Sequence, residues 1–192
     1  AALKSKYISD LMVSSDDCKL LDICKEAGCG IPFTRPAELA TDHSTSSDVV
    51  EHALNNIPDK YDWLLLLQPT SPLRTTNDID CAIEKAIEKN VDSLVSVVET
   101  HSSYYMISRI TEDNKLQPIS DIKLHDLNNM RSQDMPKGYE INGAIYIVKT
   151  DWFLKNKIFF DDDSGFIIMN PRNSINIDTN IDWRMAQILI DL

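Results

Sequence analysis

Apolar residues along the chain fall into two rhythms, unbroken short runs and a recurrence near every 3.6 residues. The clearest run is residues 63–67, WLLLL, which stops abruptly at Gln68-Pro69-Thr70-Ser71-Pro72 and Arg74. A short apolar run halted by turn residues predicts a strand covered on both faces, as in a parallel sheet flanked by helices. The polar loop then lies at the carboxyl end of a strand, where open α/β sheets take ligands. Pro69 and Pro72 fix φ and remove two backbone donors, so a stiff loop presents Gln68, Thr70, Ser71 and Arg74.

The remaining elements follow from the same two rhythms. Residues 11–13 and 31–34 are short strand candidates, separated by a helix from about Asp17 that carries Leu20, Leu21, Ile23, Cys24 and Ala27 and stops at Gly28. The hydroxyl cluster Ser44-Thr45-Ser46-Ser47 precedes Val49, Val50, Ala53 and Leu54, which predicts a helix with a hydroxyl N-cap. Thr75-Thr76-Asn77 opens a helix over residues 78–89, striped by Ile79, Ala82, Ile83, Ala86 and Ile87. Strands are expected at 91–98, 139–148 and 166–169, a short helix at 152–154, and an alternating strand at 174–179. Thr179 followed by Asp182 has capping-box spacing ahead of a terminal helix from about Ile181. Asn142-Gly143, inside an expected strand, marks a bulge or a close backbone approach.

Strands alternating with helices at this spacing predict an α/β fold, a Rossmann-like, mostly parallel sheet with helices on both faces. The alternation breaks at residues 99–141, which are polar with only short apolar pieces. The chain reads as one domain, 1–192, interrupted by that inserted excursion, the expected place for a subunit contact.

Composition narrows the function. A 43% hydrophobic and 26% charged chain is that of a soluble globular protein. The net charge of −11 argues against a nucleic-acid surface, which needs clustered Lys and Arg. No apolar run approaches a membrane span and no secretory signal is visible, so the expected compartment is the cytoplasm. Cys18, Cys24, Cys29 and Cys81 lack the spacing of a zinc site and read as reduced thiols. Of the histidines, His43 is placed near the ligand end, while His52, His101 and His125 are expected at the surface.

QPTSPLR after an apolar strand, RPAELA before a hydroxyl cluster, NGAIYI, and IDTxxD before a terminal helix occur in one order across the chain. Together they resemble the acylneuraminate cytidylyltransferase family, the CMP-sialic acid synthetases with their legionaminic and pseudaminic relatives. The resemblance implies transfer of CMP from CTP to the anomeric hydroxyl of a nine-carbon keto sugar acid with release of pyrophosphate. It also implies Mg²⁺, with Mn²⁺ as its substitute, a homodimer, and a nucleotide-diphospho-sugar transferase fold with a dimerisation excursion at 99–141. Family members open on a strand and a phosphate-cradling loop of the type ARxGSKxxPxKN, which this sequence does not contain. The expectation is therefore of a chain truncated at its amino end, inactive alone and restored by such a segment.

By the same resemblance, Arg35, Thr45 and Ser46 should hold the nucleotide, and Gln68, Thr70 and Ser71 should face the sugar. Asn142, Tyr146, Phe159 and Phe160 correspond to positions lining the sugar pocket, although aromatic pairs at such spacing are also ordinary core residues. Arg131, in RSQDMP, would approach the sugar carboxylate, including from a partner subunit. Arg74 has the alternative of pairing with an acidic residue of the following helix. Relatives commonly read DIDT where this chain has Asn176-Ile177-Asp178, so Asp178 is the expected catalytic carboxylate and metal ligand, with Asn176 offering a neutral oxygen beside it. Catalysis would rest on positioning and charge stabilisation around in-line attack at the α-phosphorus. Two other readings stay open: a cytidylyltransferase for another keto sugar acid, and a non-catalytic dimeric binding remnant.

Overall fold

The protein is described here by a computed structural model covering residues 1–191. Its centre is β5 (Tyr139–Lys149), an eleven-residue strand with β1 (Trp63–Leu66) on one side and β2 (Ser93–Glu99) on the other, both antiparallel to it. β6 (Gly165–Ile168) adds to β2 in parallel, giving the order β1-β5-β2-β6. Three of the four strands thus run one way and β5 runs against them. The carboxyl ends of β1, β2 and β6 share one edge of the sheet with the amino end of β5. That edge gathers the loop after β1, the Asn142-Gly143 pair and the segment after β6.

Side-chain alternation sends the two faces of β5 into different cores. Ile145 and Ile147 pack with Leu94, Ile167 and the buried stripe Ile79, Ala82, Ile83 and Ala86 of α3 (Thr76–Lys89). Val148 and Tyr146 pack on the opposite face with Val50 of α2 (Ser46–Asn55), Phe153 of α4 (Thr150–Asn156) and Phe159. Each fully buried aliphatic side chain contributes about 1.5–3 kcal/mol, so the two layers clamp β5 from both sides. Helices therefore cover both faces, as the unbroken apolar run of β1 requires.

The helices start where their caps dictate. Thr45, Thr75 and Thr179 each form a reciprocal capping box with the Asp three residues on, opening α2, α3 and α5 (Asn180–Ile190). Asp17 caps α1 (Cys18–Glu26), and Gly28, at φ +94°, turns the chain away after it.

Three expected strands are corrected. Residues 11–13 and 31–34 do not form strands; their neighbourhood holds a single parallel bridge between Met12 and Gly30. Residues 174–179 alternate in polarity but do not join the sheet. Ile177 instead donates its N–H to the Thr70 carbonyl at 2.8 Å, which holds the segment against a loop rather than a strand. The excursion contains a small antiparallel hairpin, β3 (Ser108–Ile110) with β4 (Leu116–Pro118). Its side chains Ile107, Ile110, Leu116 and Ile119 are all exposed.

Candidate active site

β1 pairs with β5 on one edge, and its other edge faces an open cleft of about 1450 Å³. Met12 and Val13 line it together with Leu64, Leu65, Leu66 and Leu67. Arg35, Ser46, Gln68, Thr70, Asn176 and Asp178 also line the cleft. The structure therefore brings together six residues expected to contact nucleotide, sugar or metal, from four separated parts of the chain. The link between Ile177 and Thr70 is what places Asn176 and Asp178 beside the QPTSPLR loop.

Arg35 is half-buried and its guanidinium donates to the Ser14 carbonyl, while its backbone N–H donates to Ser15 O at 2.8 Å. Nε of Arg35 is buried without a partner. Ser46 begins α2 on the cleft wall. Thr45 is the helix cap: its hydroxyl accepts from Asp48 N–H at 3.1 Å and donates to the Asp48 carboxylate at 2.6 Å. Those bonds from Thr45 hold the Asp48 carboxyl below its ordinary range, and they occupy the hydroxyl that was expected to meet nucleotide.

Asn142 is buried, and its amide is fully engaged inside the protein. Oδ1 accepts from Ser96 Oγ at 2.6 Å and Ala144 N–H at 3.1 Å, and Nδ2 donates to Ser174 Oγ at 2.9 Å. This network seats the irregularity in the β2–β5 ladder between Val95 and Val97, where Ser96 Oγ also accepts from Ile145 N–H at 2.8 Å. Asn142 thus joins β5, β2 and the segment after β6. Ser71 is also buried, with its N–H donating to Gln68 O at 3.3 Å and its Oγ without a partner.

Tyr146, Phe159 and Phe160 do come together. The Tyr146 ring stacks on Phe160 at 6.1 Å and tilts against Phe159 at 5.7 Å, while Phe159 also meets Phe153 at 5.0 Å. Phe159 is buried in the α2–α4 core and Phe160 is exposed, so the pair divides between packing and surface. Burial pushes the Tyr146 hydroxyl pKa up. None of the three lines the cleft described above. Arg131 is exposed in the excursion and is not part of that wall either.

Two further findings concern residues that sequence reasoning placed elsewhere. Arg74 pairs with no acidic helix residue; its Nη1 donates to Ala144 O at 2.7 Å and to Gln68 O at 3.2 Å. Burial pushes its guanidinium pKa down, against the opposing charge of Asp78. His52, expected at the surface, is half-buried with its ring edge-on to Phe33 at 4.9 Å.

At the positions expected to take a divalent cation stand the Asp178 carboxylate and the Asn176 amide. Asn176 Nδ2 donates to Asp178 Oδ2 at 2.7 Å, and its Oδ1 is buried without a partner. An orphaned oxygen beside a carboxylate fits a hard cation that takes its remaining ligands from phosphate and water. No cluster of three or more His, Cys, Asp or Glu capable of holding a metal occurs among the described residues.

Solved structures share this architecture. A CMP:2-keto-3-deoxy-manno-octonic acid synthetase complexed with CTP superimposes with a TM-score of 0.63 over 100% of this chain and 85% of that one, at 11% identity. A 4-diphosphocytidyl-2C-methyl-D-erythritol synthase from Anaerococcus prevotii gives 0.65 over 99% and 82%, also at 11% identity. Both likenesses show a shared fold. The profile of the cytidylyltransferase family matches residues 1–164, and the chain belongs to that family. A CMP-N,N′-diacetyllegionaminic acid synthase of Legionella pneumophila is 32% identical over 100% of this chain and 82% of its own length. An N-acylneuraminate cytidylyltransferase of Escherichia coli is 30% identical over 97% of this chain and 43% of its own length. A post-translational flagellin modification protein B of Campylobacter coli is 28% identical over 98% and 80%.

Proposed function

We propose that this protein transfers CMP from CTP to the anomeric hydroxyl of a nonulosonic acid, a nine-carbon keto sugar acid of the sialic, legionaminic or pseudaminic kind. The observation that carries the reading is the convergence of Gln68, Thr70, Asn176, Asp178, Arg35 and Ser46 on one cleft of a cytidylyltransferase-family chain. Arg35 and Ser46 stand on the nucleotide side, and Gln68 and Thr70 on the sugar side. The Gln68 amide both donates and accepts, which suits a polyol carrying N-acyl groups. In the reaction the anomeric hydroxyl loses its proton, its oxygen bonds to the α-phosphorus, and the bond to the bridging oxygen breaks to release pyrophosphate. Mg²⁺ held at Asp178 and Asn176 would neutralise phosphate charge. The protein's own part is to hold both substrates in line and to keep the loop from reorganising.

We further assign the excursion at 99–141 to a homodimer contact, supported by the exposed Ile107, Ile110, Leu116 and Ile119. Arg131 then belongs to a site completed across the two subunits. Light scattering checks this: a dimer that Ile110→Asp with Leu116→Asp converts to monomer is expected, and a monomeric wild-type protein refutes it. The cytoplasm is the proposed compartment; no described helix is long and apolar enough to cross a membrane.

The central test is pyrophosphate release from CTP with N-acetylneuraminate, N,N′-diacetyllegionaminate and pseudaminate in turn, with Mg²⁺. Release with at least one of them is expected when a strand and phosphate-cradling loop of the family's type precede the chain, and it should stop when Asp178→Ala is introduced there. A second reading, a binding module without turnover, is favoured by the sparse positive charge of the cleft. Its basic lining residues are Arg35, Lys60 and Arg74, two of which spend donors on backbone carbonyls. CTP binding without pyrophosphate release from any of the three sugars would select that reading.

A further inference from the structure

The β1–β5 ladder ends at the pair Leu66 and Tyr146. Gln68 and Ala144 each lie two residues beyond that pair, and their carbonyls are bridged by one group, Nη1 of Arg74. The guanidinium therefore takes over where strand pairing stops. Gln68 O also accepts from Ser71 N–H, so the backbone of Gln68 is held from two sides. Across from it, Gly143 sits at φ +74° in the irregular part of β5, and a Cβ there would come within 2.7 Å of Gln68 Oε1. The Gln68 side chain thus occupies the space that any other residue at 143 would fill. Asn142, the neighbour of Gly143, is anchored by Ser96 and Ser174, so this floor does not shift.

We propose that Arg74 and Gly143 are positioning residues that lock Gln68 in the cleft and so set recognition of the sugar, an inference that rests on the assignment of Gln68 to the sugar side. Arg74 fixes the backbone from which the amide projects, and Gly143 fixes the direction in which it projects. The cost is a half-buried guanidinium that loses solvation, with only the charge of Asp78 to offset it, and an unpartnered Nε. A loop needing only to terminate a strand would not need a cation partly withdrawn from water. Preorganisation of a single amide explains it, since an amide held in one orientation loses less freedom when it meets a ligand.

The test uses the Arg74→Met and Gly143→Ala variants, alone and with Gln68→Ala. Dissociation constants for N-acetylneuraminate and N,N′-diacetyllegionaminate come from NMR titration, and that for CTP from calorimetry. Each single variant is expected to weaken the preferred sugar on the order of tenfold and to leave CTP unchanged, as loss of one well-placed hydrogen-bonding group does. In the Gln68→Ala background neither should weaken the sugar further. The Gln68 side-chain amide, followed by ¹⁵N relaxation, should be rigid in the wild-type protein and mobile in both variants. Effects that simply add to Gln68→Ala, or an amide that is mobile from the start, overturn the lock. If the amide is rigid and released as described while Gln68→Ala leaves sugar binding intact, the lock stands as a structural device and the sugar assignment falls. Circular dichroism shows whether each variant folds, and either one alone suffices for the cycle.

Discussion

β1 and the apolar half of β5 lie side by side, yet they are buried differently. In β5, Ala144, Ile145, Ile147 and Val148 are 0–1% exposed, whereas every residue of β1 is only partly buried. Both strands send side chains into the same two cores. The difference is the edge: β5 has partners on both sides, and β1 has one partner and a cleft. Hydrophobic sequence reports what a strand's faces meet, and it is silent about its edges. The wall of the cleft is therefore a strand with interior composition and surface-like access.

The comparison is broken most directly by truncation. Ile147→Ala is expected to cost about 2–5 kcal/mol in urea denaturation, the range for a deeply buried aliphatic. Leu65→Ala, which faces the same core from the open-edged strand, should cost only about 1–2 kcal/mol. Equal losses would show that the cleft leaves β1 as tightly packed as β5. Ser96→Ala comes next, at about 1–3 kcal/mol, because it leaves Asn142 Oδ1 and the Ile145 N–H short of a partner in a buried place. It should also loosen the floor beneath Gly143.

On the open side the effects concern ligands more than stability. Asn176→Asp supplies the second carboxylate and should tighten Mn²⁺ binding in the presence of CTP, read by electron paramagnetic resonance; unchanged affinity removes Asn176 from the ligand set. The smallest effect is at the caps. Bonds from Thr179 hold the Asp182 carboxyl below its ordinary range, so the folded state binds fewer protons there than the unfolded chain. That contribution is complete above the usual carboxylate pKa and is lost as pH falls through the lower, folded value. Asp182→Asn should lower the Tm at pH 7 and make no difference at strongly acid pH; a deficit that persists in acid would place the effect in packing.

Much of this was legible beforehand because it is encoded locally. The capping threonines, the stripe of α3 and the turn at Gly28 depend on neighbours a few residues away, and each stands where periodicity put it. The antiparallel course of β5 was not legible, since an apolar run reads the same in either direction and only distant pairing sets the sense. Residues 174–179 misled for a related reason: they alternate in polarity, yet their recorded tie to the QPTSPLR loop is one backbone bond from Ile177 to Thr70, and period two does not distinguish such a segment from a ladder strand. For the site, the motifs identified Gln68, Thr70, Asn176 and Asp178 as companions. They did not reveal that Asn142 would be consumed by Ser96 and Ser174, or that Thr45 would be committed to Asp48. Those outcomes depend on which partners three-dimensional packing delivers.

The pairing of β1 with β5 also has a consequence for biosynthesis. Trp63 meets Lys149, which lies 149 − 63 = 86 positions later in the chain. At translation rates of about 5–20 residues per second, the WLLLL run waits some seconds outside the ribosome before its β5 partner is made. Such a run is an aggregation hazard while unpaired. Pro69 and Pro72 follow it directly, and a residue without an N–H is a poor link in any intermolecular ladder. The two prolines that stiffen the cleft-lining loop in the finished protein thus also stand where gatekeepers of the WLLLL run would during synthesis.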